Sequence, residues 1–416
     1  MKKKSVVILA TVWMIALVAV ASSGLTMLLT GTGISESRRN KDWNGNSELA
    51  QRYARLEEVR QTLMEEYYKE VDEETLITGA IRGMMSSLED PYTFYYTPEE
   101  MEAENETSEG QYHGVGMLVQ MTEEGGLRVV RVFRDSPAEK AGMLAGDLLI
   151  AVDGTPVSGA TSKDMSEAVS MIRGEDNSAV TITIRRGTEE FDLTATRGDV
   201  TINYVEHQML DGNVGYVQVY QFMGSVSYGF AEAVNDLMDQ GAEGIIVDLR
   251  ANPGGLLSAV VDMSDMVLPE GLIIYMEDRA GRRQSFYSDE QYADFPMVVL
   301  VDENSASASE IFAAAMQDYG RATIVGKTTF GKGIVQTLIT FRDDGAGMQY
   351  TTASYYTPKG VSIHGEGVHP DVEVDMQESY DATITTPDPE NDNQLAVAIE
   401  ELQKLIEEQA EAEPAA

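Results

Sequence analysis

From Val200 to about Asp375 the chain alternates short apolar runs with segments of helical periodicity, and this alternation constrains the fold more than any other feature. Gly215–Val219 reads as a strand and Ser225–Gln240 as a helix. Gly244–Leu249 then reads as a strand, Gly255–Val267 as a helix and Met297–Val301 as a strand, with a helix following from about Ser305 to Tyr319. Strands and helices that alternate in this way predict an α/β architecture, because each helix covers the sheet its neighbouring strands build.

The flanking regions have other patterns. Lys2, Lys3 and Lys4 precede an uncharged, mostly apolar stretch from about Ser5 to Ile34, and roughly 20 such residues cross a bilayer. The lysines favour the cytoplasmic side, which puts the body of the chain outside. Ala19-Val20-Ala21 offers a small-residue site for the rival reading, a cleaved signal peptide. The apolar run continues past it through Leu25-Thr26-Met27-Leu28-Leu29, which favours a retained anchor. Residues 35–46 read as a linker and 47–110 as a helical segment, in which Leu49, Tyr53, Leu56, Val59, Leu63 and Tyr67 recur at spacings of three and four. A second helix is predicted from Glu73 to Leu88. Residues 111–198 alternate as short strands, with a Pro-initiated helix at Ser136–Gly142, a longer helix at Ser162–Ile172 and a closing strand pair, Ala179–Arg185 and Phe191–Thr196. Residues 199–378 form the α/β region, and 379–416 a linker, a helix from Gln394 to about Glu408 and an acidic tail. The formal net charge of −39 argues against nucleic acid as a partner. With no cysteine, disulfides and thiol catalysis are excluded.

The chemistry lies near the end of the strand Met297–Val301. A serine at the start of the following helix is well placed for acyl transfer, because the N–H groups there favour developing negative charge. Ser305, Ser307 and Ser309 compete for the role. Taken alone, Ser307 with Glu310 three residues later is a capping box, and capping is the stronger reading of that segment. Asp248-Leu249-Arg250-Ala251-Asn252-Pro253-Gly254-Gly255 is a glycine-rich turn at another strand end. Its N–H groups at Gly254 and Gly255, with that of Ala308, could form an oxyanion hole. Phe330-Gly331-Lys332-Gly333 brings a lysine between glycines, and a lysine serves as base when desolvation takes its pKa from ~10.4 towards ~7–8. Gln336, four residues on, is placed to orient the amine.

Two resemblances sharpen these readings. Residues 112–198 resemble a bacterial PDZ domain, on His113-Gly114-Val115-Gly116-Met117, the Ser-Pro-Ala-x-x-Ala-Gly run at 136–142 and Gly146-Asp147-Leu148-Leu149-Ile150. That fold captures protein C-termini, with N–H groups of Gly114, Val115, Gly116 and Met117 on the carboxylate and the peptide added as a strand. Arg173 is a candidate sensor of bound peptide, although a favourable charge at a helix end is the stronger reading from the sequence alone. The whole chain from Leu49 to Leu405 resembles a C-terminal processing peptidase of the serine–lysine class. The carriers are Ser-Ala-Ser-Ala-Ser-Glu-Ile at 305–311, Gln317-Asp318, Thr-Phe-Gly-Lys-Gly at 329–333, Thr357-Pro358-Lys359-Gly360 and His369-Pro370-Asp371. The resemblance implies Ser307 as nucleophile, Lys332 as base, Gln336 as its support and Asp318 in a supporting role. Where the family commonly has Ala-Gly-Ala-Leu, this chain has Ala313-Ala314-Ala315-Met316.

The four histidines, His113, His207, His364 and His369, leave a Ser-His-Asp triad possible in principle, but the resemblance matches none of them to catalysis. His364 and His369 lack the pattern of a zinc site, so no metal or other cofactor is expected. The expectation is therefore a multidomain α/β chain: membrane anchor, helical segment, β-rich PDZ-like module, α/β serine peptidase core and C-terminal helix. Its expected partners are protein or peptide substrates with exposed C-termini, the membrane through the N-terminal helix, and a second copy of the chain through segments 48–90 and 394–408. A non-catalytic PDZ scaffold is the alternative. A hydrolase of small esters or amides would leave the PDZ module without a purpose.

Overall fold

The computed structural model describes residues 47–109, 111–122, 125–377 and 387–412. The expected anchor at 1–34, the linker at 35–46 and the end of the acidic tail lie outside the described residues. Among the described residues no helix is long and apolar enough to cross a membrane.

The described chain divides into two compact units, one of residues 47–103 with 336–352 and one of 104–335 with 353–412. The first begins with α1 (Ser47–Glu66) and α2 (Glu73–Ser86). Asp72 caps α2 by accepting from the Thr75 N–H. Tyr53, Leu56, Val59, Tyr67, Ile77 and Met84 are exposed along this pair. The segment expected to be helical also holds a strand, β1 (Phe94–Tyr96). Asp90 accepts from the Tyr92 N–H and the Thr93 hydroxyl, which turns the chain after Pro91 into that strand. Three residues are too few to show a period, so pattern reading missed it. The chain enters the second unit within α3 (Pro98–Glu109).

In the second unit β2 (Gln111–Gly114) opens the PDZ module. It continues through β3 (Met117–Met121), β4 (Leu127–Val132), α4 (Pro137–Lys140), β5 (Leu148–Val152), β6 (Thr155–Pro156), α5 (Ser162–Ile172), β7 (Ala179–Arg186) and β8 (Glu189–Thr196). β3-β4-β5-β7-β8 form one antiparallel path around a core that includes Leu127, Val129, Leu149, Val180, Ile182 and Ile184. β9 (Gly198–Thr201) returns to pair with β2, closing the module at its base. Its helices and closing strand pair fall where the sequence places them, to within two residues.

The peptidase region then runs β10 (Val205–Leu210), β11 (Val214–Val219), α6 (Val226–Asp239), β12 (Gly244–Asp248), α7 (Leu257–Asp265), β13 (Gly271–Asp278), β14 (Arg283–Ser288), β15 (Met297–Val301), α8 (Ala308–Tyr319), β16 (Thr323–Gly326), β17 (Ile334–Thr340), β18 (Gly347–Tyr356), β19 (Val372–Glu373) and α9 (Asn393–Ala412). The six-stranded sheet has the order β10-β11-β12-β15-β16-β19, parallel from β11 onward. All residues of β11, β12 and β15 are buried. Helices covering both faces of a parallel sheet produce such continuously apolar strands. α9 lays Leu395, Ala398 and Leu402 on Tyr216, Ile246, Val298, Leu300 and Val325, while α6, α7 and α8 pack against one another elsewhere in the unit. The end of β18 pairs with β13, and β13 with β14. In the first unit the start of β18 pairs with β1.

Open α/β sheets place ligands outside the carboxyl ends of their parallel strands. Here the glycine-rich turn leaves the end of β12, the three serines leave the end of β15, and the lysine turn follows the end of β16. These three strands are neighbours, so topology gathers segments that lie about 80 residues apart in sequence.

Candidate active site

The turn after β15 gives the three serines different surroundings. Ser305 donates its hydroxyl to the Leu249 carbonyl at 2.8 Å and accepts from the Asp302 N–H at 2.9 Å. Ser309 donates to the Asn252 carbonyl at 2.9 Å. Both hydroxyls hold the β15 turn to the β12 turn. Ser307 differs in its backbone, which has φ 54° and ψ −113° at the head of α8. A non-glycine residue in that region is strained by about 1–3 kcal/mol and persists only where its surroundings impose it. A strained strand-to-helix turn also lifts a nucleophile towards substrate in unrelated hydrolases. Ser307 is 9% exposed and Lys332 4% exposed.

Glu310 ties the serine turn to the lysine turn. Its carboxylate, fully buried, accepts from the N–H of Ser307 at 2.8 Å, Gly331 at 2.7 Å and Lys332 at 2.8 Å, and from the Thr329 hydroxyl at 2.5 Å. Burial pushes its pKa above the ordinary carboxylate value, against the pull of those four donors. The sequence marks Glu310 as a helix cap, and capping is half of what it does. The other half depends on a segment some 20 residues away. The Thr329 hydroxyl also accepts from the Val368 N–H, and Gly365 donates to the Gly331 carbonyl, so the 363–368 segment backs the lysine turn.

The β12 turn packs against the serine turn. Asn252 is buried, donates to the Val219 carbonyl and accepts from the Gly254 N–H at 2.9 Å. That bond corrects one expectation: the Gly254 N–H is already engaged and is not available as an oxyanion donor. Gly254 matters for its missing side chain. A Cβ there would stand 2.6 Å from the Ala306 carbonyl oxygen, 2.7 Å from the Ala308 nitrogen and 2.8 Å from the Ser307 Cβ. Ala308 is the first residue of α8, so its N–H has no acceptor within the helix. Gly255 (φ 147°) lies against Phe222, with which it bridges.

Arg250 anchors this turn from below. Its guanidinium forks onto Asp248 and, across 142 residues, onto Asp392 at 3.0 and 2.8 Å. All three side chains are buried, and Tyr216 adds a 2.7 Å bond to Asp248. Burial works against the guanidinium charge, but the two carboxylates hold its pKa well above the ordinary value. Asp392 also caps α9 through the N–H groups of Gln394 and Leu395.

The remaining expected residues fall in several places. Gln336 is buried on β17, where its amide donates to the Thr351 hydroxyl, which donates to Asp90. Asp318 sits near the end of α8 and accepts from the Lys359 N–H at 2.9 Å, fixing the Thr357–Gly360 turn. His364 accepts from the Gly333 N–H at 3.4 Å and His369 meets the Thr328 hydroxyl, while His113 and His207 pair with Asp199 and Asp236. Among the described residues no cluster of His, Asp and Glu is arranged to hold a metal ion.

In the PDZ module a cleft of about 260 Å³ opens between β3 and α5. Gly114, Val115, Met117 and Arg173 line it, together with Met165, Val169 and Ile172 of α5. Gly116 is not among the lining residues. Its φ is 89° and a Cβ would stand 2.2 Å from that of Ser136, so glycine is needed for this close approach. Burial raises the Tyr112 phenol to about 12, against a smaller pull from the nearby N–H groups of Gly116 and Met117. The Arg173 guanidinium lies 5.4 Å from the Tyr112 ring. Tyr112 carried no signal in the sequence pattern.

Known proteins agree with this architecture. Residues 213–374 match the model of peptidase family S41, residues 128–186 that of a PDZ domain, and residues 20–100 that of the N-terminal domain of the activating protease CtpB. A probable CtpA-like serine protease of Staphylococcus epidermidis is 38% identical over 347 residues, which cover 82% of this chain and 69% of that protein. The carboxy-terminal processing protease CtpA of Bacillus subtilis is 33% identical over 367 residues, covering 88% of this chain and 77% of that one. A crystal structure of an S41 protease from Bacteroides fragilis shares the fold at a TM-score of 0.54 and 14% identity, covering 78% and 90% of the two chains. With its sheet, its glycine and serine turns and its PDZ module, the chain belongs to peptidase family S41, among the serine-type C-terminal processing peptidases.

Proposed function

We propose that this peptidase uses Ser307 as nucleophile and Lys332 as general base on polypeptides delivered by their C-termini to the PDZ cleft. The observation that carries the proposal is the Ser307 backbone at φ 54°, at a parallel strand end where Ser305 and Ser309 commit their hydroxyls to carbonyls. Lys332 Nζ takes the Ser307 Oγ proton as Oγ bonds to the scissile carbonyl carbon. The tetrahedral oxyanion forms against the N–H groups of Gly255 and Ala308. The same proton then passes to the leaving amine as the C–N bond breaks, and water, deprotonated by Lys332, hydrolyses the acyl-enzyme. Lys332 is 4% exposed, which keeps it out of bulk water as a base in acyl transfer requires. Asp318 supports the site at a distance through the 357–360 turn.

The cleft takes an apolar C-terminal side chain between Met117 and the α5 residues Met165 and Val169, with the carboxylate on the N–H groups of the 114–117 turn. Arg173, at the cleft and beside Tyr112, reports its occupation. The apolar stretch after Lys2–Lys4 anchors the protein in the cell membrane with its catalytic body outside the cytoplasm. The exposed apolar side chains of α1 and α2 support pairing with a second copy.

The test is cleavage of an unstructured polypeptide with a free apolar C-terminus by the full-length protein. Ser307→Ala and Lys332→Ala are compared with wild type, and the substrate is repeated as its C-terminal amide. Loss of activity in both variants and slower cutting of the amide are expected. Wild-type activity in Lys332→Ala would overturn the base assignment and return attention to His364, the histidine that touches the lysine turn.

A further inference from the structure

The structure assigns a positioning role to Tyr355, whose phenol clamps the Ser307 and Lys332 turns from the side opposite Glu310. Tyr355 lies on β18, 2% exposed, with its N–H donating to the Gly333 carbonyl. Its hydroxyl stands 3.2 Å from the Ser307 carbonyl oxygen and also donates to the Lys332 carbonyl. Glu310 meanwhile accepts from the N–H groups of the same two residues. One acceptor therefore holds both N–H groups, and one donor holds both carbonyls.

This arrangement explains how two turns from different strands keep one relative placement. At φ 54° and ψ −113° Ser307 enters α8 through a backbone conformation that an ordinary N-cap residue does not adopt. Strain of this kind survives only if the surroundings over-determine it. The Ile311 N–H takes that carbonyl as the first bond of α8, and the Tyr355 hydroxyl approaches it as well. A phenol has one proton, so it serves the two carbonyls in alternation or as a shared donor. The side chain of Lys332 leaves the same residue whose carbonyl Tyr355 fixes, so release of that carbonyl lets the amine drift from Ser307.

The proposal rests on the Ser307–Lys332 reading and predicts a rate effect without a binding effect. Tyr355→Phe keeps the ring and its packing and deletes the donor. We expect kcat to fall about 10- to 100-fold, the cost of misplacing reacting groups by a fraction of an ångström to an ångström. KM and the affinity of the PDZ module for an apolar C-terminal peptide should stay within twofold. Labelling of Ser307 by a small fluorophosphonate, which bypasses the PDZ module, should slow by the same factor as kcat. Incorporating 3-fluorotyrosine at position 355 restores ring and hydroxyl together and should recover kcat to within threefold of wild type. A Tyr355→Phe protein with wild-type kcat, or a kcat loss that 3-fluorotyrosine does not recover, would overturn the clamp. If Ser307→Ala is inactive while Tyr355→Phe is unimpaired, the clamp fails alone. If Lys332→Ala stays active, the dyad fails and the clamp with it.

Discussion

Gly254→Ala tests most directly how the β12 turn and the serine turn are fitted together. Two costs add at this position. The first is conformational: at φ 98° an added Cβ is disfavoured by about 1–2 kcal/mol. The second is steric. The new carbon would meet the Ala306 oxygen, the Ala308 nitrogen and the Ser307 Cβ at 2.6, 2.7 and 2.8 Å, and two of those atoms are backbone that no rotamer can move aside. Overpacking of that kind costs about 1–3 kcal/mol, which brings the total to about 2–5 kcal/mol. Gly241 separates the two terms. Its φ is 94°, nearly the same, but a Cβ there meets nothing within 4 Å. Gly241→Ala should therefore cost about 1–2 kcal/mol in urea unfolding and leave hydrolysis unchanged. Gly254→Ala should cost more, and should lower kcat at least 100-fold because it pushes Ser307 and Ala308 themselves. Equal destabilisation by the two variants, with activity retained in Gly254→Ala, would refute the fitted-turn argument.

Three further outcomes follow from the geometry. Burial pushes the Glu104 carboxyl up to about 7, and its Oε1 is buried without a hydrogen-bond partner. A raised carboxyl contributes stability below its unfolded pKa of about 4.5 and loses it as pH rises through 7. Glu104→Gln should therefore gain up to about 3 kcal/mol on wild type between pH 4 and pH 8 in chemical unfolding, and a pH-independent difference would count against it. Asp392→Ala leaves the buried Arg250 with Asp248 alone and uncaps α9, so it should cost about 3–5 kcal/mol, whereas Asp392→Asn keeps a capping oxygen and should cost less; parity between them would show the cap to be unimportant. Tyr112→Phe removes a buried hydroxyl near the Gly116 and Met117 N–H groups that would compete with a carboxylate for them, so fluorescence anisotropy should find an apolar C-terminal peptide bound about 3- to 10-fold tighter; unchanged or weaker binding would mean those groups do not take the carboxylate.

Much of the site was legible because glycine, serine and lysine sit in compact runs whose chemistry is local. Ser307 at a helix start, Lys332 between glycines and the Gly254-Gly255 turn all stand where the runs put them. The preference for Ser307 over Ser305 and Ser309 came from resemblance. Its physical basis is tertiary, since the hydroxyls of Ser305 and Ser309 bond to carbonyls of a turn some 50 residues away. Gly254 was read as a donor because a glycine turn exposes N–H groups, and the buried Asn252 side chain that occupies this one gives no sequence signal. The strands β13, β14, β17 and β18 were missed because Gln, Ser, Arg and Tyr along them set no clean two-residue period.

The sequence by itself determined the strand–helix alternation that carries β11, β12 and β15, the presence of a PDZ module and the three turns that carry polar chemistry. These follow from periodicity, glycine placement and apolar runs, which act within a few residues. The tertiary structure alone decided that β12, β15 and β16 are neighbours, and so that their three turns meet at the carboxyl ends of the strands. It also decided the bonds that fix them: Glu310 and Tyr355 on the Ser307 and Lys332 turns, and Asp392 on Arg250. Each is a buried polar group and, apart from the local Glu310–Ser307 bond, each partner lies between about 20 and 140 residues away. Desolvation forces such a group to be paired, but chain topology chooses the partner.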